Sequence, residues 1–138
     1  YREGYKISPP GYMHYPLSNF MLIESVLKKE KPEDWDECAA KLSRELIRFG
    51  ESSRDDYWSQ VSQLEIPLYL HLMNIKPSTE EAFITTAEKL RKHTGHRSNW
   101  KAIADQLYFL EDLFGMTGNG TDTHKHLSLI RKVRERIG

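Results

Sequence analysis

Histidines come in two close pairs, His93 and His96 in HTGH and His124 and His126 in THKH, and imidazole is a common zinc ligand. Their spacing matches no zinc-finger pattern and no cysteine accompanies them, so they read as exposed loop histidines and no metal is expected. Cys38 paired with a histidine is the route to thiol chemistry. It falls on an apolar helical stripe beside Ala39 and Leu42, which makes it a buried structural thiol. Asp55 and Asp56 resemble a carboxylate pair, yet adjacent helical residues point about 100° apart, and acids here favour a helix start. The stretch GMTGNG at 115–120 lacks the Gly-Lys-Ser/Thr ending and the preceding strand of a phosphate loop, so it reads as an inter-helix turn. These features imply no catalytic residue and no cofactor.

Cations offer a different chemistry. Lys89, Arg91, Lys92, Arg97 and Lys101, with His93 and His96 among them, crowd one stretch, and Lys125, Arg131, Lys132, Arg134 and Arg136 follow on the last helix. Side chains of this type contact phosphates when a fold presents them together. Glu88, Asp105, Glu111 and Asp112 are interspersed, so an ordinary solvated helical surface is the competing reading. The candidate contacts to nucleic acid or cargo are Lys89, Arg91, Lys92, Arg97, Lys101, Lys125, Arg131, Lys132 and Arg134.

The totals bound what this chemistry can mean. Lys plus Arg and Asp plus Glu are both 20 over 138 residues, so there is no overall basic excess, and phosphate binding would have to come from a local patch. One cysteine excludes an internal disulfide and fits a reducing compartment. The longest apolar runs fall far short of the roughly 20 residues of a membrane-spanning helix. The start, YREGYKISPPGYMHYP, has neither the form of a signal peptide nor an initiator methionine, and reads as part of an excised fragment.

The elements that must position these residues are helical. Residues 1–16, rich in Tyr, Pro and Gly, read as an extended arm, and residues 17–138 as a single helical domain. Ser18 is the expected N-cap of a helix to about Lys29. A second helix follows Pro32, with Trp35, Cys38, Ala39, Leu42, Leu46 and Phe49 on one face and Gly50 as its C-terminal cap. The most hydrophobic segment, Ser53 to Met73, reads as the central helix. Ser53 and Asp56 cap it, Tyr57, Trp58, Val61, Leu64, Leu68 and Leu72 form its inward stripe, and Pro67 bends it or splits it near Glu65. Ser78 and Glu81 predict a capping box for a helix burying Phe83, Ala87 and Leu90. Ser98 caps a fifth, with Trp100, Ile103, Ala104, Leu107, Leu110 and Phe114 inward. Thr121 or Asp122 caps a sixth, burying Leu127, Ile130, Val133 and Ile137. With no alternating strand, the expected fold is an all-α compact bundle of about six helices with an extended N-terminal arm.

PLSNFML after the Pro- and Gly-containing arm, then AAKLSRELI, then DDYWSQVSQLEIPLYLHL, together resemble the all-alpha domain of type IV secretion and conjugation coupling proteins. Tyr15 stands where that pattern has Asn before Pro. The resemblance covers about residues 12–75 and implies a non-catalytic domain of a cytoplasmic motor ATPase whose parent is anchored in the inner membrane. It further implies that the domain recognises DNA, relaxosome components or secreted protein cargo, with the ATP-binding motifs elsewhere in the parent. The helical arrangement is also similar to the N-terminal DNA-binding domain of tyrosine recombinases. A protein-interaction adaptor bundle without nucleic acid is the remaining reading.

Overall fold

A computed structural model describes residues 14–51, 57–93, 97–116 and 121–137. Among the described residues there are six α-helices: α1 (His14–Leu22), α2 (Trp35–Glu51), α3 (Tyr57–Leu72), α4 (Glu80–His93), α5 (Arg97–Gly115) and α6 (Thr121–Ile137). A π-helical turn, Ile23–Leu27, continues α1. No strand occurs among the described residues, and the all-helical architecture is as the periodicity predicts. Residues 1–13, which hold most of the expected arm, lie outside the described residues, as do Ser53, Asp55 and Asp56.

The first helix departs from expectation at both ends. It begins at His14, with Pro16 inside its first turn. Backbone amides there have no intrahelical acceptor, so a proline costs no hydrogen bond. Ser18 is therefore a buried helical residue and not a cap. At the other end the Lys28 amide donates to the Ile23 carbonyl at 3.1 Å, the wider spacing of a π turn. Lys29 then adopts a left-handed backbone with φ 55° and stops the helix.

In α2, the Trp35 amide donates to the Pro32 carbonyl at 3.0 Å, so a tight turn separates the proline from the helix. Trp35, Cys38 and Leu42 are buried as the stripe predicts, while Ala39 and Leu46 are half-buried at its edge. The helix runs through Gly50 to Glu51; Gly50 is not its cap.

Helix α3 is the centre of the molecule, packing against α1, α2 and α4. It is one continuous helix through Pro67, so of the two expected outcomes, a bend or a split, the split is absent. Burial is not confined to the stripe Val61, Leu64, Leu68 and Leu72: Ile66, Tyr69 and Leu70 are each 0 % exposed. A helix apolar on nearly every side belongs inside. Asn74, with φ 59°, ends it in a left-handed turn that lets the Ile75 amide reach the Leu70 carbonyl at 2.9 Å.

Helix α4 packs on α3 and α6, and α5 packs on α6 and on the π turn. The capping box does not form at Ser78. Thr79 takes the cap position, its Oγ1 accepting the Ala82 amide at 3.2 Å, because the Ser78 amide is already donated to His71 Nδ1 at 2.9 Å. Ile103, Leu107, Leu110 and Phe114 of α5 meet Ile130, Val133 and Ile137 of α6 in the core, joined by Leu113 and Leu129, which the stripes omit. Ala104 and Leu127 lie half-buried at its margin. A hydrogen bond from Gln106 Nε2 to Asn19 Oδ1, 3.0 Å long, ties α5 back to α1.

Candidate functional site

The two basic sets are held in different ways. On α6, burial of Leu129, Ile130, Val133 and Ile137 turns the intervening arginines and lysines outward, towards acids on the helices α6 packs against. Lys132 meets Glu80 at 2.9 Å, Arg136 meets Glu88 at 2.9 Å, and Arg131 meets Glu111 at 3.3 Å. Arg134 forks the same carboxylate, with Nε and Nη2 each 3.2 Å from an oxygen of Glu111, and its guanidinium lies 4.6 Å from the ring centroid of Tyr108. The hydrogen bonds that Arg134 donates to Glu111 raise the pKa of its guanidinium above the ordinary value, so its charge is fixed. These cations tie α6 to α4 and α5, and their charge is already answered within the chain.

The end of α4 is built differently. Phe83, Ala87 and Leu90 are buried, and this register leaves Lys89, Arg91 and Lys92 exposed. None of the three has an ion-pair partner among the described residues. Arg91 and Lys92 lie in the last helical turn, where the carbonyl end of the helix dipole favours positive charge. Arg97 opens α5, though its side chain, like those of His93 and Trp100, lies outside those described, as do residues 94–96. Lys101, one turn further on, is exposed and reaches Asp105 at 3.6 Å on its own helix.

Lys125 belongs to neither group. It borders a cleft of about 630 Å³ with His124, His126, His71, Ser78 and Glu80. His124 and His126 are thus helical, correcting their expected place in a loop. His126 packs edge-on between His71 and Phe114, at centroid distances of 5.9 and 5.3 Å, and His71 packs edge-on to Phe83 at 5.3 Å. Partial burial holds the His71 imidazole below its ordinary value. Sequence reasoning passed over His71, because its contact with Ser78 is made by the chain turning back after α3 and has no helical period.

Among the described residues no group of three or more His, Cys, Asp or Glu side chains is placed to hold a metal ion. Cys38 is buried at 1 % exposure among apolar residues, as its stripe predicts. No described helix is long and apolar enough to cross a membrane. No family model matches the chain, and no curated protein or solved structure is significantly similar to it.

Proposed function

We propose that this chain is a non-catalytic recognition module that docks an acidic partner, DNA or an acidic protein cargo, through the end of α4 and the start of α5. The observation that carries this reading is the contrast between the two basic sets. Cations that brace α6 are paired, whereas Lys89, Arg91 and Lys92 stand exposed without an ion-pair partner among the described residues. A phosphate or carboxylate surface can use charge presented in that way. The resemblance of residues 12–75 to coupling-protein domains supports placing the module in a type IV secretion or conjugation ATPase, where it would select what the motor moves.

A second reading, an interaction bundle that uses no nucleic acid, draws its support from the α6 pairs and the zero net charge. Fluorescence anisotropy with labelled single-stranded DNA, double-stranded DNA and an acidic peptide, each followed across a salt series, separates the two. The first reading predicts DNA binding that weakens steeply with salt. Binding of neither DNA nor the peptide at low salt would overturn the first reading and leave the second, whereas salt-sensitive peptide binding without DNA binding would reduce the first reading to its acidic-cargo form.

A further inference from the structure

The cleft between the end of α3, the start of α4 and the first half of α6 lies apart from the basic end of α4, and the recognition reading makes no use of it. It gathers His71, His124, His126, Lys125, Lys132 and Glu80. Histidines in a cleft invite a metal reading, and the hydrogen bonding argues against it. His71 Nδ1 accepts the Ser78 backbone N–H at 2.9 Å, so a neutral His71 carries its proton on Nε2. A nitrogen bearing a proton is a hydrogen-bond donor and cannot ligate a cation. His71 Nε2 has no hydrogen-bond partner among the described residues.

The charged groups point the same way. Glu80, the one carboxylate among the described residues that line the cleft, is engaged by Lys132 at 2.9 Å. Lys125 is exposed and has no ion-pair partner among the described residues, so the cleft lining holds one uncompensated ammonium in addition to the imidazole donor. The Leu129 side chain and the edges of the imidazole rings supply apolar wall, and the volume of about 630 Å³ lies within the range of small-molecule sites.

We propose that this cleft binds a small organic oxyanion, phosphoryl or carboxylate, with the Lys125 ammonium and the His71 Nε2–H as its donors. Lys132 becomes a third donor when it is released from Glu80. The proposal is independent of DNA or cargo binding at the end of α4.

The test follows the imidazole C–H signals of the full chain by NMR at a pH above the imidazole range, about 7.5. Sodium phosphate, sodium acetate and sodium chloride are titrated at matched ionic strength. Saturable shifts of His71 and His124 with phosphate alone assign a phosphoryl ligand. Saturation by acetate as well assigns a carboxylate-tolerant site. Lys125→Gln, an exposed change that leaves the fold intact, weakens the saturating anion about tenfold, the effect of losing one charge-assisted hydrogen bond. Glu80→Gln frees Lys132 and tightens it several-fold. Shifts that merely follow those with chloride, or affinities equal in wild type and K125Q, overturn the proposal.

Discussion

The first three helices and the last three keep their polar groups in opposite places. Each buried polar residue among those described, Ser18, Asn19, Glu45, Ser62 and Glu65, lies in α1, α2 or α3. Three ion pairs described there stay within one helical segment, Lys28 with Glu24, Lys41 with Glu37 and Arg48 with Glu45. In α4 to α6 the described core is apolar, and apart from Lys101 with Asp105 inside α5 the described ion pairs cross from helix to helix at the surface. The first half thus keeps polar groups inside, with Glu65 bonded to Tyr69 and Asn19 to Gln106, bonds that are costly to leave unmade. The Ser62 hydroxyl there has no hydrogen-bond partner among the described residues. The second half joins helices already packed through an apolar core by exposed ion pairs, which salt screens. The same contrast separates structural cations from those left for a partner.

Glu65 gives the largest expected effect. Its carboxylate, 1 % exposed, accepts the Tyr69 hydroxyl at 3.0 Å. Tyr69→Phe removes that donor from a buried acceptor and should cost about 1–3 kcal/mol in chemical denaturation. Replacing both partners by apolar residues of similar shape, Glu65→Met with Tyr69→Phe, should recover most of the loss, since the buried acceptor is then removed together with this donor. A double variant as unstable as the single one would show that Glu65 owes its place to something other than this pair.

In the second half, Glu111→Gln removes the shared partner of Arg131 and Arg134. The expected loss is about 1 kcal/mol at low ionic strength, and it should shrink as salt is added. Tyr69→Phe should show no such salt dependence. Equal salt sensitivity of the two variants would erase the distinction between the halves.

The smallest effect is a pH dependence at the junction of the halves. Burial lowers the folded-state pKa of His71, so between its folded and unfolded values the unfolded chain binds more protons, and stability rises with pH. His71 therefore contributes fully above about 6.5, and its contribution falls as the pH drops from there towards the folded value. Protonation also removes the Nδ1 acceptor used by Ser78, in a setting of His124, His126, Lys125 and Lys132 opposed by Glu80. Thermal melts across this window should slope less in His71→Asn than in wild type; identical slopes would remove His71 as the cause.

Much of this organisation is legible in the sequence because it is periodic. Spacings of three and four residues place the stripes of α2, α4, α5 and α6, and the apolar content of Ser53 to Met73 marks the central helix. Three kinds of feature escape such reading. Pro16 and Ser18 mislead because a helix boundary depends on whether the first-turn amides need acceptors, which a residue's type alone does not decide. Ile66, Tyr69 and Leu70 are buried because α3 has neighbours on several sides, which no single stripe records. The pairs Lys132–Glu80, Arg136–Glu88 and Arg134–Glu111 join residues far apart in the chain, and their pairing follows from the way α6 lies against α4 and α5. That packing divides two basic clusters of similar composition into one that braces the bundle and one that faces solvent.

The most direct test reverses the two clusters separately and measures DNA binding and stability for each. Lys89→Glu, Arg91→Glu and Lys92→Glu together should abolish salt-dependent DNA binding while leaving the denaturation midpoint near that of wild type. Arg131→Glu with Arg134→Glu should lower the midpoint and, in the fraction that remains folded, leave DNA affinity largely intact. Loss of binding through the α6 pair alone, with the α4 triple variant binding as wild type, would contradict the account.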